Sequence, residues 1–164
     1  MQKLGLLIIL FTLFSCKKGE EAYSAHVHSE VRLALTDEEG NNIFESKGGS
    51  LGMGDVDLYY VNKAGEREIQ NHSNLDLPKN MEIVDEESLK EKVLKVFGNL
   101  IPQSDGYAES ILVVKGYSEI SIKLKVERTD SMIGYSQILI NGKQISESNL
   151  GNPIEVKLIK LKND

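Results

Sequence analysis

The chain has 164 residues, 27% of them charged, a formal net charge of −6 and one cysteine. That length suits one domain, and the acidic balance disfavours nucleic-acid backbones and anionic headgroups, with no basic stripe of interleaved aromatics to argue otherwise. A lone thiol excludes an internal disulfide, so the core must hold by packing alone.

Residues 1–15 carry one charged side chain, Lys3, before an apolar or weakly polar run from Leu4 to Phe14. The run is too short for the roughly 20 residues a spanning helix needs. It fits the roughly 7–15-residue apolar region of a secretory signal, with Ser15 as the small residue before the cut. Removal of this segment takes away Lys3 and leaves a mature chain one unit more negative than the whole. Leu13-Phe14-Ser15-Cys16 resembles a bacterial lipobox, with Phe14 where a smaller residue is often found. The resemblance implies that Cys16 takes a diacylglyceryl group on sulfur and, after cleavage, a palmitate-type acyl chain on its amine. Stable anchoring takes more than one acyl chain, and a triacylated cysteine supplies it without a transmembrane helix. Residues 16–26 are then lipidated cysteine and flexible tether. Lys17-Lys18 followed by Glu20-Glu21 resembles the charged export segments of Bacteroidota surface lipoproteins; a plain solvated linker is the other reading.

From residue 27 the pattern turns to period two, the mark of half-buried strands. Val27, Val31, Leu33 and Leu35 share one face, with Ser29 as its gap, and "TDEEGNN" at 36–42 supplies a turn. "DVDLYYV" at 55–61 is a strand, "NKAGE" at 62–66 a hairpin loop around Gly65, and "REIQ" the return. "SILVVK" at 110–115 pairs across Gly116-Tyr117 with "EISIKLKVE" at 119–127, the cleanest alternation in the chain. "SQILI", Asn141-Gly142 and "KQI" form a tight hairpin, and "PIEVKLIKL" at 153–161 closes with another strand. The segment "SLKEKVLKVFGNL", 88–100, is contested. Ser88 and Glu91 form a capping box and its apolar residues fit a helical face, but the β context favours a strand at 92–97. The sum is an all-β domain over 27–164: a β-sandwich of immunoglobulin-like, Greek-key type following a cleaved lipoprotein signal peptide.

Several of these stretches together resemble small Bacteroidota lipoproteins: "LALTDEEGNNIF", "DVDLYYVNKAGE", "KVLKVFGN", "ESILVVKGYSEISIKLKVE" and "QILINGKQI", in that order over residues 31–145. The resemblance implies an exported β-sandwich on a lipid anchor at the outer membrane, whether facing the periplasm or the cell surface, and it implies no chemistry.

Other constellations are weak. His26 and His28 have chelating spacing, with Glu30, His72 or an aspartate brought in by folding as a further ligand, but histidines on a polar strand face are more often solvated. Asp37, Glu38, Asn41 and Asn42 offer oxygens around Gly40 without the EF-hand order, so a turn is expected and no metal. "KGGSLGMG" at 47–54 lacks a phosphate-loop core. There is no GxSxG elbow and no HExxH. Neither catalytic residues nor a cofactor is expected. Tyr59, on a polar face, is a single candidate for a carbohydrate platform. The expected function is a non-catalytic binding or structural lipoprotein of the cell envelope with a protein partner and no nucleic acid. The alternative is a surface glycan- or peptide-binding module of a nutrient-uptake system.

Overall fold

The computed structural model describes residues 26–45, 51–146 and 151–161, so the lipobox residues Leu13, Ser15 and Cys16 lie outside the described residues. Among the described residues eleven strands follow one another: β1 His26–Val27, β2 Glu30–Thr36, β3 Val56–Val61, β4 Arg67–Ile69, β5 Met81–Glu86, β6 Glu91–Phe97, β7 Tyr107–Val114, β8 Ile120–Arg128, β9 Met132–Ile140, β10 Lys143–Gln144 and β11 Ile154–Lys157. The larger sheet runs β1-β9-β8-β7-β3-β4 with β10 also on β9, and the smaller runs β11-β2-β6-β5. The domain is an all-β sandwich, as the alternating runs predict.

Strand order gives the sandwich its type. β2, β6 and β5 lie side by side in the smaller sheet, and β8, β7, β3 and β4 in the larger, every neighbour antiparallel. This is the B-E-D and G-F-C-C′ order of immunoglobulin-type domains. β9 and β10 extend the larger sheet, and β11 returns to pair parallel with β2 through Ile154↔Leu33 and Val156↔Leu35. The core lies between the sheets, where Leu33, Leu35, Leu58, Leu94, Leu112, Ile122 and Leu124 are wholly inaccessible.

β8 keeps its promise: Ile120, Ile122 and Leu124 face the core while Lys125 is exposed. The clean alternation stops at a bulge between Lys125 and Val126, where the register with β9 shifts. The hairpin at Asn141-Gly142 has positive φ at both residues (50° and 79°), as a type I′ turn requires. Gly98 serves close packing instead: a Cβ there would stand 2.6 Å from Leu124 Cδ1.

Three expectations are corrected or sharpened. The run from residue 27 is two strands, and His26, assigned to the tether, belongs to the first. Val27 pairs with Ile133 in the larger sheet, whereas Val31 and Leu33 belong to the smaller one. Ser29, the gap in the apolar face, lies at the crossing, and its carbonyl accepts a bond from the Gly98 amide at 2.8 Å. The contested segment is a strand, β6, paired with β2 on one side and β5 on the other. Val93 and Leu94 are adjacent and both inaccessible, and that departure from strict alternation lets the segment mimic a helical stripe. Leu89, on the buried face of the imagined helix, is 42% exposed, and Ser88 bonds the Glu86 carboxylate at 2.8 Å in place of a cap. β5 itself was not legible from periodicity, because Val84 interrupts the alternation of Met81 and Ile83 with acids.

Candidate functional site

The candidate metal residues do not converge. His26 lies in β1 and His28 in the crossing that follows, both exposed. Glu30, the nearest carboxylate in sequence, is taken by Arg32 Nε at 2.8 Å and Lys95 Nζ at 3.4 Å. Burial works to raise the Glu30 pKa, but the bond from Arg32 and the charge of Lys95 outweigh it and hold it below the ordinary carboxylate range. His72 sits elsewhere, its Nε2 3.2 Å from Gln70 Oε1. Among the described residues no group of three or more His, Cys, Asp or Glu is placed to hold a metal ion.

Residues 37–42 form the expected turn. Asp37 accepts the Asn41 amide at 2.8 Å and its side chain at 3.1 Å, with Gly40 at φ +86°. The side-chain bond from Asn41 lowers the Asp37 pKa. Asn42 turns inward and ties the loop to β6 through the Lys92 carbonyl at 2.8 Å. The side-chain oxygens of Asp37 and Asn42 are thus engaged in the turn's own hydrogen bonds.

A cavity of about 250 Å³ opens where β2 meets β9 and β11, lined by His28, Glu30, Arg32, Tyr135, Asn152 and Ile154 among others. That is smaller than the roughly 300–1,000 Å³ typical of small-molecule sites. The Tyr135 hydroxyl donates to the Glu30 carbonyl at 2.7 Å. Arg32 also reaches Glu86 on β5 at 3.1 Å, and Lys95 reaches Glu82 at 3.1 Å. The ammonium of Lys95 stands 5.2 Å from the Phe97 ring centre. These charges form one ladder across β2, β6 and β5 in which each cation answers two carboxylates, an arrangement that fixes side chains in place.

On the larger sheet Tyr59 is half-buried and faces away from the core, directly opposite Ile69 on β4 and Ile111 on β7. Arg67 makes a bidentate pair with Glu119, both bonds 2.8 Å, tying β4 to the start of β8. Tyr59 is therefore the middle of a short apolar row beside an ion pair. Sequence reasoning had Tyr59 on the correct face but missed Ile69 and Ile111, whose neighbourhood depends on strand register. Among the described residues no helix is long and apolar enough to cross a membrane. No protein-family model, curated protein or solved structure matches the chain.

Proposed function

We propose that this is a lipid-anchored lipoprotein of the cell envelope whose β-sandwich serves a non-catalytic binding or structural role toward another envelope protein. One observation carries the reading: the only cysteine of the chain stands at residue 16, where an apolar run that begins after Lys3 gives way to a charged, small-residue segment. Thiol acylation at that position would anchor the domain through the ten or so residues before β1, and the resemblance of residues 31–145 to Bacteroidota lipoproteins supports the outer membrane as the membrane concerned. A second reading, a surface glycan- or peptide-binding module, has the Tyr59 row in its favour, since half-exposed aromatic faces suit sugar rings.

Growth of expressing cells with a clickable palmitate analogue tests the anchor. The wild-type chain takes label and sediments with membranes, and Cys16→Ser loses both. A Ser variant that still takes label sinks the assignment of Cys16. For the second reading, Tyr59→Ala would abolish retention on immobilised envelope polysaccharide while leaving the labelling intact.

A further inference from the structure

The smaller sheet ends in β5, with β6 as its one partner among the described residues. The ladder shows which backbone groups that leaves. The Phe97 amide donates to the Asn80 carbonyl at 2.9 Å, and the register continues through Glu82↔Lys95, Val84↔Val93 and Glu86↔Glu91. In an antiparallel pair alternate residues bond the partner, so Glu82, Val84 and Glu86 point their N–H and C=O groups at β6. Met81, Ile83 and Asp85 point theirs outward; Met81 is buried, so the open stretch of the edge is Ile83 and Asp85. Beside this edge runs a groove of about 390 Å³ between Ile83, Phe44 and Leu51, with Asp85 and Lys92 at its rim.

We propose that the outer edge of β5 is a docking site for an extended segment of a partner protein, which adds to the smaller sheet as a further strand. Backbone bonds to Ile83 and Asp85 give such a strand its hold, and pockets for alternate side chains give selectivity. Its inward side chains are apolar, to fill the groove by Ile83, Phe44 and Leu51. Its outward side chains are cationic, because β5 carries three carboxylates, Glu82, Asp85 and Glu86, and no cation, and the two cations that reach Glu86 and Glu82, Arg32 and Lys95, are both shared with Glu30. The same charge argues against a second copy, since pairing β5 with β5 doubles those carboxylates along one ladder, and like charges across strands repel. Acidic edges of this kind discourage indiscriminate pairing while leaving a basic strand welcome. The inference concerns the folded domain alone and does not depend on lipid at Cys16.

The test uses the full-length chain and the blocked heptapeptide Lys-Val-Lys-Val-Lys-Val-Lys, with amide hydrogen exchange read residue by residue. Without peptide, Ile83 and Asp85 exchange rapidly while Glu82, Val84 and Glu86 are protected; with saturating peptide the first two become protected as well. Asp85→Pro removes one outward donor at a position where the β6 ladder needs none, and it weakens peptide binding at least tenfold. Absence of binding, or protection that appears elsewhere, overturns the proposal. So does protection of the Ile83 and Asp85 amides without peptide: if lost on dilution, a second copy holds the edge, and if kept, the chain covers its own edge. Should the proline variant fail to fold, the wild-type exchange pattern decides alone.

Discussion

Leu124 and Gly98 meet across the interior, and their contact shows what one methyl group is worth here. Leu124 is wholly inaccessible, so Leu124→Ala is expected to cost about 2–5 kcal/mol through lost burial and a residual cavity. Lys123, one residue earlier, points out of the sheet and reaches Glu109 at 3.6 Å with its side chain 35% exposed. Lys123→Ala should stay within about 0.5 kcal/mol, as surface changes do. Gly98→Ala places a methyl 2.6 Å from Leu124 Cδ1, an overpacking worth about 1–3 kcal/mol. The two core changes are coupled. In the double variant the new methyl occupies part of the space the leucine vacates, so the combined loss falls short of the sum of the single losses. Urea midpoints of the four variants check all of this, and strict additivity would mean the two residues do not share that space. The buried face of β8 was legible because alternation reports burial directly. The role of Gly98 was not, because its neighbour comes from the other sheet.

The two sheets are tied by more than apolar contact. Glu30 on β2 and Phe97 on β6 are partners in register, and each offers its carbonyl to a tyrosine from the larger sheet. Tyr60 donates to Phe97 at 2.6 Å and Tyr135 to Glu30 at 2.7 Å. Burial pushes the Tyr60 pKa up to about 12, and burial raises that of Tyr135 as well. A hydroxyl whose folded pKa is raised above its unfolded value of about 10 favours the folded state in full below that pH. That contribution drains away as pH rises toward about 12, where Tyr60 ionises. Tyr60→Phe is therefore expected to lose about 0.5–1.5 kcal/mol near neutral pH and to have a shallower stability decline above about pH 10 than the wild type. Urea midpoints at intervals between neutral and alkaline pH measure both, and parallel curves would remove Tyr60 from the account. In the sequence Tyr60 reads simply as a core-facing aromatic, because a bond to a strand of the other sheet is set by packing. The Ser29 gap was visible in the same way, as an interruption with no meaning until the sheets were placed.

At the scale of the molecule, the strand order from β2 to β8 follows an immunoglobulin-type arrangement from B to G, and β11 takes the edge beside β2. The alternating runs revealed that the chain is a β-sandwich. They could not reveal which strands are neighbours, since β2 pairs with β6 and β11 across long stretches of sequence, and the parallel pairing of β11 leaves no hairpin signature. Yet β11 is no ornament: Ile154 and Val156 are nearly inaccessible and Leu158, just past its end, is 1% exposed. Burying three such side chains contributes about 5–9 kcal/mol, as much as many domains possess in total. Truncation after residue 152 is therefore expected to unfold the domain, whereas truncation after 161 changes little. The Leu158 amide bonds the Thr36 carbonyl at 2.8 Å and continues the ladder, so a synthetic peptide of residues 153–161 presents the missing strand entire. Added in excess to the truncated chain, it should restore the strand-dominated far-UV circular dichroism and a cooperative urea transition whose midpoint rises with peptide concentration, as linkage to a ligand of the folded state requires. A truncated chain that folds with wild-type stability on its own would show β11 to be dispensable, with the sandwich complete from β2 to β10.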